Sequence, residues 1–222
     1  MKRIYIVILA AFVLALALPA TSPATITEVG VIPPTTTPVT TPSCPASPCL
    51  AVSRTTGFQV KVATNTTLMN VPKAGTIVAW TIMLSKPNAT QIKFFNANEG
   101  GPSEAGIAIL RAQKTPNLTY KLIAQSPPVK LQSYFGKTAQ FPLEKTLTVK
   151  KGDVIALTVP TWAPALALGF GKDTSWRASR AKSQCASTSA QSTDTEIGAL
   201  VQYFCLYQTA RLTYNATLIT TP

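Results

Sequence analysis

The sequence predicts an all-β fold, an antiparallel, jelly-roll-like β-sandwich of about ten strands. Three observations support this prediction. Short runs alternate apolar and polar residues, most clearly over residues 212–218. Turn-forming Gly, Pro and Asn residues separate these runs at short intervals. No segment after residue 20 keeps the 3.6-residue periodicity of an amphipathic helix.

Residues 1–20 have the pattern of a secretory signal peptide. Two basic residues precede an uninterrupted apolar run over residues 4–18, and small residues follow it, with cleavage expected after Ala20. The run is shorter than the roughly 20 apolar residues of a spanning helix, and it ends at Pro19. An uncleaved membrane anchor is the alternative. We expect a secreted, extracellular protein with no transmembrane segment after cleavage. Association with the cell surface is compatible with this expectation.

Residues 21–48 are predicted to be a Thr/Pro-rich linker. Residues 21–43 are dominated by threonine and proline and carry one charge, Glu28. Proline fixes φ and has no N–H to donate, so this segment is expected to join no sheet and to bury little. An extended chain of this kind would hold the domain away from a cell wall or membrane.

Residues 49–222 are predicted to form the sandwich as one domain, since all-β domains of about 200 residues are common. Residues 76–84 are apolar on both faces, which is typical of a central strand. Residues 172–198 are predicted to be a long polar loop. The predicted strands cover residues 58–62, 76–84, 91–95, 106–110, 120–124, 129–133, 140–149, 154–159, 165–170, 200–207 and 212–218.

The four cysteines, Cys44, Cys49, Cys185 and Cys205, are an even set in a chain with a secretory start, which predicts two disulfides. Three connectivities are possible. We favour Cys185–Cys205, which would join the long polar loop to the strand after it, and this leaves Cys44–Cys49. A metal site is the alternative, but the spacing is not C-x₂-C and the sequence has no histidine.

The sequence is poor in catalytic side chains. The absence of histidine excludes Ser-His-Asp, Cys-His and His-ligated metal mechanisms. Glu99 and Glu104 share a glycine-rich segment, where two carboxylates could act in glycoside hydrolysis or bind calcium. A solvated loop is the simpler interpretation. We therefore expect no enzyme, no cofactor and no metal ion.

The charge suggests the class of partner. Basic residues outnumber acidic ones 20 to 8, and the formal net charge is +12. Outside a cell, such a surface could bind glycan or another anionic cell-envelope polymer, or it could only keep the protein soluble. The basic residues are scattered along the chain, and nucleic acid is not an expected partner.

The loop over residues 172–182 combines an aromatic residue with several basic ones and is the predicted ligand-binding surface. Trp162 is expected to be a further exposed ring. An indole offers a flat face to a sugar, and guanidinium groups grip carboxylates or phosphates through paired hydrogen bonds. The alternative is that Trp176 packs over the end of the sandwich. The leading hypothesis is a non-catalytic surface module, and a structural or adhesive spacer is the second. The predicted binding residues are Trp176, Arg177, Arg180, Lys182 and Trp162.

Three segments, residues 74–80, 149–157 and 210–218, carry a family resemblance. In them the chain resembles uncharacterised secreted β-sandwich proteins of actinobacteria and related Gram-positive bacteria. The resemblance implies a fold and a compartment and no activity. The resemblance also affects what is expected at four Asn-x-Ser/Thr sequons. In such bacteria these asparagines usually stay unmodified, whereas in a eukaryote they would be glycosylated. The sequons begin at Asn65, Asn88, Asn117 and Asn215.

Overall fold

A computed structural model describes residues 24–31, 40–46, 49–186 and 192–220. The predicted signal peptide lies outside this part of the chain. The described residues form fourteen strands, one α-helix and two short 3₁₀ turns. The predicted all-β antiparallel sandwich is therefore confirmed, with more strands than the ten expected.

The strands are short to medium in length, and most match a predicted run. The helix α1 spans Ala89–Asn98, and the 3₁₀ turns span Gln132–Tyr134 and Lys182–Gln184. The strands are β1 (Thr25–Val29), β2 (Val52–Lys61), β3 (Gly75–Met83), β4 (Glu104–Ala112), β5 (Thr119–Gln125), β6 (Val129–Lys130), β7 (Thr138–Val149), β8 (Val154–Ala163), β9 (Leu166–Leu168), β10 (Ser175–Ala178), β11 (Leu200–Gln202), β12 (Cys205–Gln208), β13 (Ala210–Leu212) and β14 (Tyr214–Thr220).

The strand order is that of a jelly roll, in which eight strands form two facing sheets. One sheet has the order β1-β14-β3-β7, and the other contains the run β5-β4-β8-β2. The chain crosses between the sheets at almost every connection. Residues 164–213, between β8 and β14, are an insertion into this scheme. The insertion adds β10 and β12 beside β2, places β11 beside β5, and forms the small sheet β9-β13.

The core lies between the two sheets. Ile77, Trp80 and Ile82 of β3 are fully buried, as are Ile107 and Ile109 of β4 in the opposite sheet, because apolar side chains of the two inner faces pack against each other. The phenol of a buried tyrosine in β14 donates a hydrogen bond of 2.9 Å to the main-chain carbonyl of Ile155 in β8. The two sheets are thus joined by a polar contact as well as by apolar packing.

The predicted linker contains the first strand of the jelly roll. Thr25–Val29 pairs antiparallel with β14, and Val29 is buried. The expectation that residues 21–43 join no sheet is wrong for this stretch, because its sequence Thr-Ile-Thr-Glu-Val is rich in β-branched residues and has no proline. Farther along, Cys44 is also buried. The folded unit therefore includes residues before residue 49.

A helix replaces the strand predicted over residues 91–95. The Asn88 side chain accepts a hydrogen bond from the Gln91 main-chain N–H at 2.9 Å, and the Gln91 side chain accepts one from the Asn88 N–H at 2.9 Å. This reciprocal capping box favours a helix start over the extended conformation that the apolar residues suggested. The helix has 10 residues. In the described part of the chain, no helix has the length and hydropathy needed to cross a membrane.

A carboxylate of β1 binds β14 and provides a test of the first strand. The Glu28 carboxylate accepts hydrogen bonds from Asn215 Nδ2 at 2.6 Å and Thr217 Oγ1 at 2.7 Å. Because Glu28→Ala removes both, we expect it to lower the free energy of unfolding by about 1–3 kcal/mol in urea titrations. Glu144→Ala, at an exposed position of β7, is the control and should have little effect. Equal stability of the two variants would contradict the role given to Glu28.

Candidate binding pocket

A pocket of about 330 Å³ lies where the insertion meets β2. Its walls come from the residues around the start of β2, from β9, from β10 with the residues after it, and from the connection between β12 and β13. The volume is at the lower end of the roughly 300–1,000 Å³ found for ligand pockets. Such a space suits a single ring or a terminal residue of a longer ligand.

Two stacked aromatic rings form one wall of the pocket. Trp176 of β10 and Tyr207 of β12 are direct partners in the strand register, and their ring centroids are 4.7 Å apart at 28°. A Cβ at Gly57 of β2 would lie 3.0 Å from two indole carbons, so glycine there lets the indole pack close to the sheet. Trp176 is only 7% exposed, whereas Tyr207 is half-buried and offers more of its ring.

A buried arginine lies beside this wall. Arg180 is 7% exposed, and its Cζ is 5.9 Å from the centroid of the Tyr207 ring, which is a cation–π distance. Its Nη1 donates to the Cys185 carbonyl at 3.2 Å, and the Tyr207 hydroxyl donates to the same oxygen at 3.3 Å. The Cys185 carbonyl therefore fixes the orientation of both side chains.

Two of the residues that line the pocket carry a buried donor without a partner. Trp176 Nε1 and Arg180 Nε are inaccessible to solvent and make no hydrogen bond to the described residues. Leaving a buried donor unpaired costs about 1–3 kcal/mol, which an acceptor on a ligand would recover. None of the residues described as lining the pocket is acidic. The pocket thus favours a ligand with acceptor atoms or a negative charge.

Both predicted disulfides are present, and both reach the pocket. Cys44 is bonded to Cys49 and Cys185 to Cys205, which confirms the favoured connectivity. Cys49 and Cys185 line the pocket. Because a cross-link removes freedom from the chain it closes, two walls of the pocket are covalently constrained.

Two of the five predicted binding residues line the pocket, and the other three do not. Trp176 and Arg180 line the pocket, but Arg177 does not. Residues 175–178 form a strand rather than part of a loop, and successive side chains of a strand point to opposite faces. Arg177 Nη1 donates instead to the main-chain carbonyls of Tyr203 at 3.3 Å and Phe204 at 2.6 Å. Burial lowers the pKa of Arg177.

The other two predicted residues lie elsewhere. Lys182 is exposed, with its Nζ 5.7 Å from the centroid of the Phe204 ring, and it does not line the pocket. Trp162 is fully buried in β8, where it stacks on Phe95 of α1 at 4.6 Å. Its indole N–H donates to Asn96 Oδ1 at 3.0 Å. The expectation of an exposed ring at Trp162 is therefore wrong, since this indole belongs to the core beneath the helix.

Tyr207 is the main pocket residue that the sequence analysis missed. It lies within the predicted strand 200–207, which the structure splits into β11 and β12. In β12, Cys205 is buried, Leu206 exposed and Tyr207 half-buried, so the alternation places Tyr207 on the face of Cys205. The alternation is visible in the sequence. The pairing of Tyr207 with Trp176 depends on the strand register, which no local pattern gives.

Of the two carboxylates considered for glycoside hydrolysis or calcium binding, Glu99 is held in an ion pair. The Glu99 Oε2 accepts a hydrogen bond from Arg54 Nε at 2.9 Å, and Glu104 begins β4. Within the described ranges, no cluster of three or more His, Cys, Asp or Glu side chains is arranged to hold a metal ion.

A second cavity, of about 340 Å³, is a weaker candidate. It lies at an open edge of the sandwich, where Pro127 and Pro128 face Lys145 and Leu147 of β7. The buried unpaired donors found in the described residues do not line it. This cavity therefore offers an apolar surface but no polar atom that demands a ligand.

A buried carboxyl group, that of Asp194, is hydrogen-bonded within a segment next to the pocket. Asp194 is 4% exposed, its Oδ2 accepts from the Tyr203 hydroxyl at 3.3 Å, and its N–H donates to Thr56 Oγ1 at 3.0 Å. Ser179, adjacent to Arg180, donates from its hydroxyl to the Ser192 carbonyl at 2.9 Å. Burial raises the pKa of Asp194 to about 6, and the nearby Glu196 adds to the effect, although the Tyr203 hydrogen bond opposes it.

Comparison with known proteins adds no further constraint. No family model, no curated protein and no solved structure matches this chain. The resemblance to secreted β-sandwich proteins of Gram-positive bacteria therefore stays a prediction. The chemistry of the pocket is the basis for the function proposed below.

The raised pKa of Asp194 predicts a specific dependence of stability on pH. Between its ordinary pKa of 3.8 and the folded value of about 6, the folded chain holds a proton that the unfolded chain has released. Stability from this group is therefore lost as the pH rises through that window. Asp194→Asn cannot titrate, so its stability relative to wild type should rise by about 1–3 kcal/mol from pH 4 to pH 7. Urea titrations at four pH values measure this difference, and parallel curves for the two proteins would contradict it.

Proposed function

We propose that this chain is a secreted, non-catalytic surface module that binds a glycan bearing an anionic group, and that the Trp176–Arg180 pocket holds that group. One observation carries the proposal. Trp176 Nε1 and Arg180 Nε are buried donors without a partner among the described residues, and both side chains line the same pocket. Because both nitrogens are shielded from solvent, the two side chains must shift slightly before acceptor oxygens of a ligand can satisfy these donors.

The two kinds of side chain match two parts of such a ligand. An aromatic wall presents a flat apolar face, against which the C–H face of a sugar ring can pack. Arginine binds carboxylates and phosphates more strongly than neutral acceptors, because the hydrogen bonds are charge-assisted. A sugar acid combines a ring and a carboxylate in one residue, and the volume of about 330 Å³ limits the occupant to about that size.

The charge of the whole chain supports an anionic partner. The excess of 20 basic over 8 acidic residues attracts polyanions over long distances and accelerates their encounter with the protein. This attraction does not select a ligand. Selection is assigned to the pocket, where the donors are buried and salt screens a charge less than it does at the surface.

The proposed module is secreted and has no catalytic activity. The basic start and apolar run of residues 1–20 favour export, and two disulfides favour an oxidising compartment. The sequence has no histidine, and the carboxylate of Glu99 is engaged by Arg54. Binding is therefore the function best supported by the side chains around the pocket.

The test begins with oligosaccharides that contain uronic acids and with neutral oligosaccharides of the same linkage, presented on an array. We expect binding of the acidic members only. For the best of them, Trp176→Phe keeps a ring and removes the indole donor, and Arg180→Met removes the guanidinium. Each loss of a hydrogen bond to a charged acceptor should weaken the affinity about 10- to 100-fold in calorimetric titrations.

Lys182→Ala is the matched control, because it removes one positive charge close to the pocket without changing its lining. At physiological salt this exposed charge is screened, and the affinity should change less than about twofold. Melting temperatures of all three variants check that the fold is retained. An equal loss for Lys182→Ala and Arg180→Met would contradict pocket binding, and silence of the whole array would favour a structural spacer.

A further inference from the structure

The four sequons occupy two different structural settings. Asn65 lies in the turn after β2, Asn88 precedes α1, and Asn117 lies in the connection between β4 and β5, and all three are exposed. Asn215 lies inside β14, which is paired with a strand on each side, and it is half-buried. Glycan acceptors in folded proteins belong to the first setting, because the attached sugar is bulky and needs solvent.

In the three exposed sequons the amide nitrogen is free to react. Asn65 Oδ1 accepts from the Thr67 N–H at 2.9 Å, Asn88 Oδ1 from the Gln91 N–H at 2.9 Å, and Asn117 Oδ1 from the N–H of the next residue at 2.9 Å. A main-chain N–H can only donate, so each contact identifies the oxygen and leaves Nδ2 on the other side. None of these three Nδ2 atoms makes a hydrogen bond to the described part of the chain.

Asn215 is the opposite case. Its Nδ2 donates to Glu28 Oε2 at 2.6 Å, and the hydroxyl of Thr217, the third residue of the same sequon, donates to Glu28 Oε1 at 2.7 Å. An ionised carboxylate accepts hydrogen bonds and donates none, so the amide must present its nitrogen to Glu28. Both chemically important groups of this sequon are therefore used to attach β1 to β14.

We propose that Asn65, Asn88 and Asn117 are N-glycan acceptor sites wherever the chain passes through a glycosylating secretory pathway, and that Asn215 stays unmodified. The donor is a lipid diphosphate-linked oligosaccharide. Nδ2 attacks the anomeric carbon, the C–N bond forms as the C–O bond to phosphate breaks, and the lipid diphosphate leaves with the electron pair. The proton lost from Nδ2 passes to a base of the transferase. None of these asparagines lines the pocket, so the proposal is independent of ligand binding.

The test uses the full chain secreted from cultured eukaryotic cells, alongside a glycoprotein of known occupancy that checks the host. Peptides are released by an N-glycosidase in ¹⁸O water, which converts each glycosylated asparagine to a labelled aspartate. Labels at the three exposed positions and none at Asn215 are expected. A label at Asn215 in the folded, secreted protein, or a bare asparagine at any of the other three positions, would overturn the assignment.

Single-site variants give a second measurement from the intact mass. Asn65→Gln and Asn117→Gln should each remove one glycan. Thr90→Ala removes the second sequon while keeping Asn88, whose side chain caps α1, and it should also remove one glycan. Asn215→Ala is the matched control and should leave the number of glycans unchanged. A loss of one glycan in this control would contradict the proposal.

Discussion

The pairing of β10 with β2 is the constraint on which the rest of the site depends. Ser175–Ala178 lies between β2 and β12 and is antiparallel to both. This placement decides that Trp176 faces the pocket and that Arg177 faces away, and it brings Tyr207 directly across from the indole. The same pairing leaves Arg180 just beyond β10, next to the Tyr207 ring. Gly57 of β2 makes the pairing compatible with a large side chain, since a Cβ there would contact the indole.

Most residues that line the pocket lie outside the eight strands of the jelly roll. Of the eight strands of the two sheets, β2 contributes Ser53 and Thr55 to the wall, and the insertion of residues 164–213 supplies most of the polar and aromatic lining. Two disulfides attach the surrounding walls, one before β2 and one within the insertion. A site built on strands and cross-links is held more rigidly than one built on free loops, which favours binding because less motion is lost when a ligand enters.

Local patterns in the sequence predicted the long strands, and tertiary pairing explains what they missed. β3 and β14 were found because period-2 alternation and turn residues are local signals. β1 is not predicted, because the threonine and proline content around it indicates one continuous linker over residues 21–48. Trp176 and Arg180 were found from the local density of aromatic and basic residues. Arg177 is predicted together with them because the sequence alone does not show that residues 175–178 form a strand, whose alternation places Trp176 and Arg177 on opposite faces.

The proposed binding mode depends on one contact, a hydrogen bond from the Trp176 indole N–H to an acceptor on the ligand. The chain has three tryptophans, and Trp162 already donates to Asn96. In ¹⁵N-labelled protein the three indole N–H signals can be followed while an oligosaccharide containing glucuronic acid is added. We expect the Trp176 signal to move downfield with saturation, as a new hydrogen bond forms, while the signals of Trp80 and Trp162 stay in place. A Trp176 signal that remains fixed at saturating ligand, or three signals that shift equally, would contradict it.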